Sequence, residues 1–195
     1  KIESAAQATD WLTAEAAPYW LEAARDGRCG GVFNRISHDG RPYEDDPKTA
    51  LAHARMLYTC AHLESVAGPG PWRAGADEAF DFLTTRLFDP KTEGVFKSTG
   101  RDGAQDAPGA DLTLDAYDHA FVLLGLAALW KVRPSGAIQS WIDRVWEAMQ
   151  RALFEPETGG YHEDSRWSDP AAAYPLPRRQ NPHMHLFEAL LELHD

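Results

Sequence analysis

An internal repeat constrains this chain more than any other feature of its sequence. Residues 88–95, Phe-Asp-Pro-Lys-Thr-Glu-Gly-Val, match residues 154–161, Phe-Glu-Pro-Glu-Thr-Gly-Gly-Tyr, at an offset of 66 positions. The tripeptide Gly-Val-Phe at 31–33 recurs at 94–96, an offset of 63. Self-similarity at a nearly fixed period indicates an array of repeated supersecondary units. We therefore expect three units, at about 4–68, 72–132 and 135–195.

The segments between the repeated turns have the apolar spacing of α-helices. Ile138, Trp141, Ile142 and Val145, for example, follow an i, i+3, i+4, i+7 pattern. Ser4 and Asn181 suit N-cap positions, and the acidic run 44–46 is expected to cap the second helix. We predict six helices, at about 4–26, 47–66, 72–88, 114–132 and 135–154, with the last beginning after Asn181.

The helices are expected to alternate between an outer and an inner position. Residues 121–129 are apolar on nearly all sides, which is typical of a buried helix. Helix pairs that cannot bury both faces alone stack, either as an open solenoid or as a closed toroid. Overlaying the inner helices by the repeat offsets places His185 opposite His119, with Arg55 within one residue of that level. This predicts a cavity with polar residues at the axis.

The composition limits the class of partner and the compartment. The 195 residues fit a single domain, 1–195, and 19 basic against 30 acidic residues argue against nucleic acid or an anionic membrane as partner. Cys29 and Cys60 lack metal-binding or CxxC spacing, which indicates free thiols in a reducing compartment. No apolar run approaches the ~18–20 residues that span a bilayer, and no signal-peptide pattern is present. A cytoplasmic location is expected.

Three blocks of the sequence resemble the N-acylglucosamine 2-epimerase family, which includes cellobiose 2-epimerases and mannose-type aldose–ketose isomerases. They are residues 53–58 (His-Ala-Arg-Met-Leu-Tyr), residues 115–121 (Asp-Ala-Tyr-Asp-His-Ala-Phe) and residues 178–192, which contain an Asn-x-x-Met-His motif. The resemblance runs through the whole chain. Family members are (α/α)6 barrels of about twelve helices. The resemblance thus implies an all-α half-toroid, the N-terminal half of such a barrel, with six helices in three hairpins and short extended turns.

The resemblance also implies which residues contact a sugar. Arg55 resembles the substrate-binding arginine on the second helix, and Tyr117 resembles the pocket tyrosine on the fourth. Asn181 and His185 resemble the asparagine–histidine pair on the sixth helix. The two histidines that the family uses as acid and base belong to its second half, and no residue of this sequence matches them. The activity is therefore expected to be incomplete in this chain.

The implied reaction is C2 epimerisation or aldose–ketose isomerisation through an enediolate. It needs groups that titrate near neutrality, for which histidine is best suited, and a cation or donor for the developing oxyanion. We therefore assign a catalytic role to His185 and the oxyanion role to Arg55. Glu188, one turn beyond His185, and His119 are expected to support the site. No metal and no redox cofactor is expected.

Each candidate residue also has a purely structural interpretation. Arg55 could form a helix–helix salt bridge, and His185 could be a partly buried structural histidine. His119 could pair with Asp118 through a structural hydrogen bond. His183 and His185 have the look of a metal pair, but residues two apart on a helix point away from each other, which disfavours metal binding.

Three functions remain open at this level. The first is a sugar 2-epimerase or aldose–ketose isomerase acting on a monosaccharide or disaccharide. The second is a non-catalytic carbohydrate-binding or self-associating half-toroid, because exposed inner helices would present an apolar patch. A homodimer, or another association that covers these helices, is expected in either case. The third is an (α/α)6 glycoside hydrolase, for which Asp118 and Glu188 are the inner-helix carboxylates.

Overall fold

A computed structural model describes residues 4–171 and 178–194 and confirms the all-α half-toroid. Helix α1 is a continuous run of Ala5–Trp11, a π-helical turn at Leu12–Ala16, and Ala17–Ala24. The π-helical turn lies just before Pro18, which has no N–H to donate to the preceding turn. No helix in these residues is long and apolar enough to cross a membrane. The remaining helices are α2 (Ala50–Ala67), α3 (Trp72–Thr85), α4 (Ala116–Val132), α5 (Gly136–Leu153) and α6 (Gln180–His194).

Side-chain caps define where several helices begin. The side chain of Ser4 accepts a hydrogen bond from the Gln7 N–H, which confirms the predicted cap of α1. The side chain of Asp115 caps α4 by accepting from two backbone N–H groups of its first turn. Ser135 caps α5 in the same way as Ser4 caps α1. In all three cases a short polar side chain satisfies N–H groups that have no partner within the helix.

Two predicted helix starts are wrong. The acidic run does not cap α2, because Thr49 accepts from the Ala52 N–H at 3.2 Å and Asp46 pairs instead with Arg35. Helix α6 begins at Gln180, so Asn181 lies within its first turn rather than capping it. At the start of α2 several adjacent residues could cap, and the contact of Asp46 with Arg35 leaves the capping position to Thr49.

The helices form two layers. The inner helices α2, α4 and α6 lie side by side with α4 in the middle, while the outer helices α3 and α5 pack on α2 and α4. Helix α4 is buried from Ala116 to Leu129, with the sole exception of the half-buried Tyr117. Gly125 allows close packing of α2 on α4, because a Cβ at this position would lie 2.8 Å from the Ala54 carbonyl oxygen.

Each outer helix is followed by a turn with the same antiparallel pairing. The pairs are Arg25 with Val32, Phe88 with Val95, and Phe154 with Tyr161. The third pair belongs to strands β3 (Phe154–Glu155) and β4 (Gly160–Tyr161), whereas β1 (Lys48–Thr49) and β2 (Ser98–Thr99) join the start of α2 to the loop before α4. These turns place one backbone N–H at the same point in each repeat.

A buried ion cluster joins the first turn to the long loop of the second repeat. The Lys48 ammonium is 1% exposed, lies 2.9 Å from the Asp26 carboxylate, and also donates to the Gly30 carbonyl. Arg101 binds the same carboxylate through two nitrogens, at 2.7 and 3.1 Å. One carboxylate thus holds two cations that come from segments far apart in the sequence.

Candidate active site

Three histidines occupy equivalent positions at the start of the inner helices. The Nε2 atoms of His53, His119 and His183 accept hydrogen bonds from the N–H groups of Val32, Val95 and Tyr161, at 3.0, 3.1 and 3.1 Å. The predicted overlay of His185 on His119 is therefore wrong by two residues, because the residue equivalent to His119 in the third repeat is His183. Corrected in this way, Arg55, Phe121 and His185 occupy one equivalent position, each two residues after a histidine of this set.

Side chains from all three inner helices meet in one row. Arg55 donates to the Tyr117 hydroxyl at 3.1 Å, and its guanidinium lies over the Phe121 ring at 4.6 Å. The His185 ring lies 4.4 Å from the Phe121 ring and 5.2 Å from the Tyr117 ring, centroid to centroid. The fold thus brings together three of the four residues expected to bind a sugar, Arg55, Tyr117 and His185, and packs them around one aromatic ring.

Glu188 holds the imidazole of His185. Nδ1 of His185 lies 2.7 Å from the Glu188 carboxylate, one turn further along α6. Because a carboxylate can only accept, we assign the proton to Nδ1, which leaves Nε2 of neutral His185 as an acceptor. The His185 side chain is 17% exposed, so Nε2 is the natural atom for proton exchange with a ligand.

The remaining candidates lie apart from this row. Asn181 is exposed in the first turn of α6, four residues before His185 and therefore on the same side of the helix. His119 is fully buried and uses both ring nitrogens on backbone groups, the Asp115 carbonyl and the Val95 N–H. His119 consequently does not pair with Asp118, and no described contact joins its ring to the side chains of the row.

Arg55 carries a charge that no carboxylate of the described residues neutralises by a salt bridge. By contrast, Arg73, Arg101 and Arg133 each pair with at least one carboxylate. The salt-bridge interpretation of Arg55 thus finds no partner within residues 4–171 and 178–194. A guanidinium held by a phenol and an aromatic face retains its capacity to bind an anion or several hydroxyls.

A group of charges lies at the N-terminal end of α4, beside the row. The Lys97 ammonium is 2.9 Å from the Asp115 carboxylate, and Asp118 is 4% exposed with no hydrogen bond to its carboxylate from the described residues. Burial raises the pKa of Asp118 to about 7, and the neighbouring Asp115 carboxylate adds to this, whereas Lys97 and Arg55 act in the opposite direction. Asp118 is thus a carboxyl group that titrates near neutrality.

Replacing Asp118 with asparagine is expected to stabilise the protein at pH 8 but not at pH 4. The folded-state pKa is raised above the unfolded value of 3.8, so the stability contributed by the bound proton is complete below that value and is lost as the pH rises through about 7. Asparagine avoids this loss, of the order of 4 kcal/mol. Urea unfolding between pH 4 and 8 measures it. The exposed Asp81→Asn on α3 should show no such pH dependence, and equal pH profiles for D118N and the wild type would contradict the assignment.

Phe121 belongs to this row, although its residue type and position did not predict it from the sequence. Its ring is 8% exposed and lies between the guanidinium of Arg55 and the imidazole of His185. The spacing of the histidines could have identified Phe121. His53 and His119 are 66 residues apart, and the same offset aligns Arg55 with Phe121. An apolar residue in a nearly continuous apolar helix gives no local indication that it faces a polar site.

Comparison with known proteins identifies relatives along most of the chain. The sequence model of the N-acylglucosamine 2-epimerase (GlcNAc 2-epimerase) family matches residues 31–195. A mannose-6-phosphate isomerase of Rhizobium meliloti (strain 1021) is 30% identical over 189 residues, covering 96% of this chain and 45% of that protein. The chain spans about half the length of the curated relatives it matches.

Solved structures share the fold over a similar length. A cellobiose 2-epimerase from Spirochaeta thermophila DSM 6192 superimposes with a TM-score of 0.83 at 24% identity, covering 96% of this chain and 47% of that one. A glycoside hydrolase family 76 α-mannanase of Bacteroides thetaiotaomicron superimposes with a TM-score of 0.70 at 10% identity, covering 94% and 45%. At these identities the two structures show the fold alone.

Proposed function

The chain belongs to the N-acylglucosamine 2-epimerase family, and on that basis we propose that it supplies one half of the sugar pocket of a 2-epimerase or aldose–ketose isomerase. In this proposal residues 1–195 form one domain that corresponds to the N-terminal half of an (α/α)6 barrel. The substrate is a monosaccharide or disaccharide that reacts in its open-chain form. The free thiols of Cys29 and Cys60 support a cytoplasmic location.

The row of side chains suits the binding and opening of a sugar ring. Nε2 of His185 can exchange a proton with a ring oxygen or the anomeric hydroxyl, because Nδ1 is held by Glu188. Tyr117 accepts from Arg55, so its own hydroxyl proton remains for a sugar oxygen. The exposed amide of Asn181 offers a further donor and acceptor one turn earlier on α6.

Arg55 then serves the proton transfer at C2. Removal of that proton places negative charge on the oxygens of an enediolate, and a guanidinium donates to two such oxygens at once. The pair of histidines that moves the C2 proton in this family has no counterpart among the residues of this chain. The chain therefore contributes binding, ring opening and charge stabilisation, and another segment or subunit contributes the transfer itself.

One observation carries this proposal: Arg55 and His185, from two different inner helices, both contact Tyr117 and Phe121 of the inner helix between them. The glycoside hydrolase alternative has less support, because the Asp118 carboxyl is buried and Glu188 is engaged by His185.

Incubation of the chain with D-mannose, D-glucose or N-acetylglucosamine in heavy water tests the proposal by NMR. Deuterium at C2 would support an epimerase or isomerase that works in the assembled form of this chain. Faster interconversion of the anomers without C2 exchange would support ring opening by His185 in an incomplete site. Binding with neither effect favours the non-catalytic carbohydrate-binding alternative. Absence of binding, of anomer interconversion and of exchange would refute the proposal for this chain.

We further propose that two copies of the chain associate into a closed ring. Outer helices α3 and α5 pack on the inner helices that precede them, yet no described outer helix covers α6, where Phe187 and Leu191 are 63% and 48% exposed. At the other edge, Leu12 and Trp20 of α1 are exposed and line an apolar groove beside α2. A second copy would place its α1 on α6 of the first, and the first would place its α1 on α6 of the second. One two-fold axis would thus cover both exposed edges in each copy.

Light scattering is expected to give twice the chain mass of 21.7 kDa. Trp20→Glu and Phe187→Glu should each produce a monomer, whereas Tyr43→Glu, at an exposed aromatic residue of a loop, should remain a dimer. A monomeric wild type would overturn this proposal and leave these edges to another segment or partner.

A further inference from the structure

The three equivalent histidines bind the backbone on both sides of the imidazole. Besides accepting from the turn through Nε2, each directs Nδ1 to the carbonyl four residues earlier, at 2.8 Å for His53 and His119 and 3.4 Å for His183. Because a carbonyl accepts and an N–H donates, the proton must be on Nδ1 in all three. We name these three residues the latch histidines, since each connects the first turn of an inner helix to the extended turn before it.

The turns are shaped to receive these rings. The residue before each donating N–H is a glycine, and a Cβ there would lie 2.4 Å from Nε2 at Gly31, 3.1 Å at Gly94 and 3.3 Å at Gly160. The first of these glycines also has a positive φ of 66°. The glycines of the sequence repeat and the latch histidines are therefore two sides of one contact that recurs three times.

Helix geometry connects this contact to the site. Residues two apart on an α-helix are rotated by about 200°, and residues four apart by only about 40°. If the latch residue faces its turn, the residues two before and two after it face the opposite side together. Tyr117 and Phe121 are placed in this way around His119, as are Asn181 and His185 around His183.

Every described contact within the row joins residues at these positions. Arg55, Phe121 and His185 each follow a latch histidine by two residues, and Tyr117 precedes one by two. The contacts are those of Arg55 with Tyr117 and with Phe121, those of His185 with both aromatic rings, and that of the two rings with each other. The site is thus assembled from the faces opposite the three latches.

We propose that His53, His119 and His183 are positioning residues, which set the rotation of each inner helix about its own axis so that the sugar-binding side chains converge. The identity of the ligand rests on the proposed function, but the convergence itself does not. Histidine suits this role because one compact ring offers a donor and an acceptor on opposite sides while it is neutral. Burial supports the neutral form, since it lowers the pKa of His53 to about 4 and lowers that of His119 as well.

The tautomer of each latch histidine provides a test without any substitution. Long-range ¹H–¹⁵N spectra of the labelled chain are expected to show the Nδ1–H form for His53, His119 and His183. The exposed His38 serves as the internal reference for an unconstrained ring. An Nε2–H form at the latch positions would overturn the proposal, since Nε2 could not then accept from the turn.

His183 is the best position for a variant, because it is only partly buried and lies between Asn181 and His185. His183→Leu removes both hydrogen bonds, whereas His183→Gln retains an oxygen that can accept from the Tyr161 N–H. We expect H183L to weaken D-mannose binding about tenfold, the scale of one lost hydrogen bond. It should also shift the His185 imidazole signals and weaken the NOE between Phe121 and His185. H183Q should restore most of both, and His38→Leu should change neither.

A purely structural role would give a different pattern. In that case H183L would unfold at lower urea concentration, but its folded form would bind sugar and show His185 signals and the Phe121 contact like the wild type, which would overturn the proposal. If the wild-type chain binds no sugar, the proposed function fails for this chain, while the His185 signals and the Phe121–His185 NOE still decide the positioning role.

Discussion

Replacing Arg55 with alanine is expected to reduce C2 proton exchange by a factor of about 10²–10³, the usual loss when one donor to a developing oxyanion is removed. The measurement is deuterium incorporation into D-mannose by whichever assembly of the chain exchanges the C2 proton. Stability should change little, because Arg55 is exposed and its described partners are one hydroxyl and one ring face. Urea unfolding of the same preparation checks this second expectation.

Two further variants separate the chemistry of Arg55 from its packing. Arg55→Lys keeps the charge but not the forked donor geometry, so we expect an intermediate rate. Arg144→Ala removes a comparable contact on the outer helix α5, where the guanidinium lies 5.2 Å from the Trp141 ring centroid, and should leave the rate unchanged. A full rate in R55A, or a large loss of stability with a normal rate per folded molecule, would show that Arg55 is structural.

Replacing Asp26 with asparagine is expected to lower the free energy of unfolding by about 3–5 kcal/mol, the typical cost of removing one partner of a buried ion pair. The substitution keeps the size of the side chain but leaves the buried Lys48 without its counter-ion. Burial alone would raise the pKa of Asp26, but hydrogen bonds from Arg101 and Lys48 outweigh it and hold the pKa well below its usual range. Urea unfolding at pH 7 measures the loss.

Removal of a carboxylate should cost more stability in the buried cluster than in an exposed ion pair. Asp39→Asn is the matched control, since Asp39 and Arg41 form a solvent-exposed pair at 3.1 Å and such pairs contribute about 0–1 kcal/mol. The double variant Asp26→Asn, Lys48→Met should recover part of the stability, because it also removes the uncompensated cation.

The wild type should lose stability as the pH falls below the unfolded pKa of 3.8, and D26N should lose less over that range. A loss in D26N no larger than in D39N would contradict a stabilising role for the cluster.

Much of the fold could be predicted because it depends on local periodicity. The apolar spacing along the chain predicted six helices and the burial of α4, and the short polar side chain of Ser4 predicted the cap of α1. Cap choice failed where several acceptors stood together, as before α2, and Asn181 falls inside α6 rather than before it. Before α2 the contacts of the loop, which are a tertiary property, select among local alternatives.

Less of the candidate site than of the fold could be predicted from the sequence. Arg55, Tyr117, Asn181 and His185 were selected from the sequence by family resemblance, but the latch role of His53 and His183 and the place of Phe121 between Arg55 and His185 were missed. The repeat offset of 66 aligned α6 with α4 to within two residues. On a helix, that error turns a side chain to the opposite face.

The sequence by itself therefore determined the number of helices, their alternation between outer and inner positions, and the residue types available to a sugar site. Those properties follow from the 3.6-residue period and from residue chemistry, both of which can be read locally. Only the tertiary structure decided how each inner helix is rotated and which carboxylate neutralises Lys48. It also decided that none of the described carboxylates forms a salt bridge with Arg55. These outcomes depend on contacts between residues some 20 to 75 positions apart, such as Val32 with His53 and Asp26 with Arg101, and no local pattern specifies such partners.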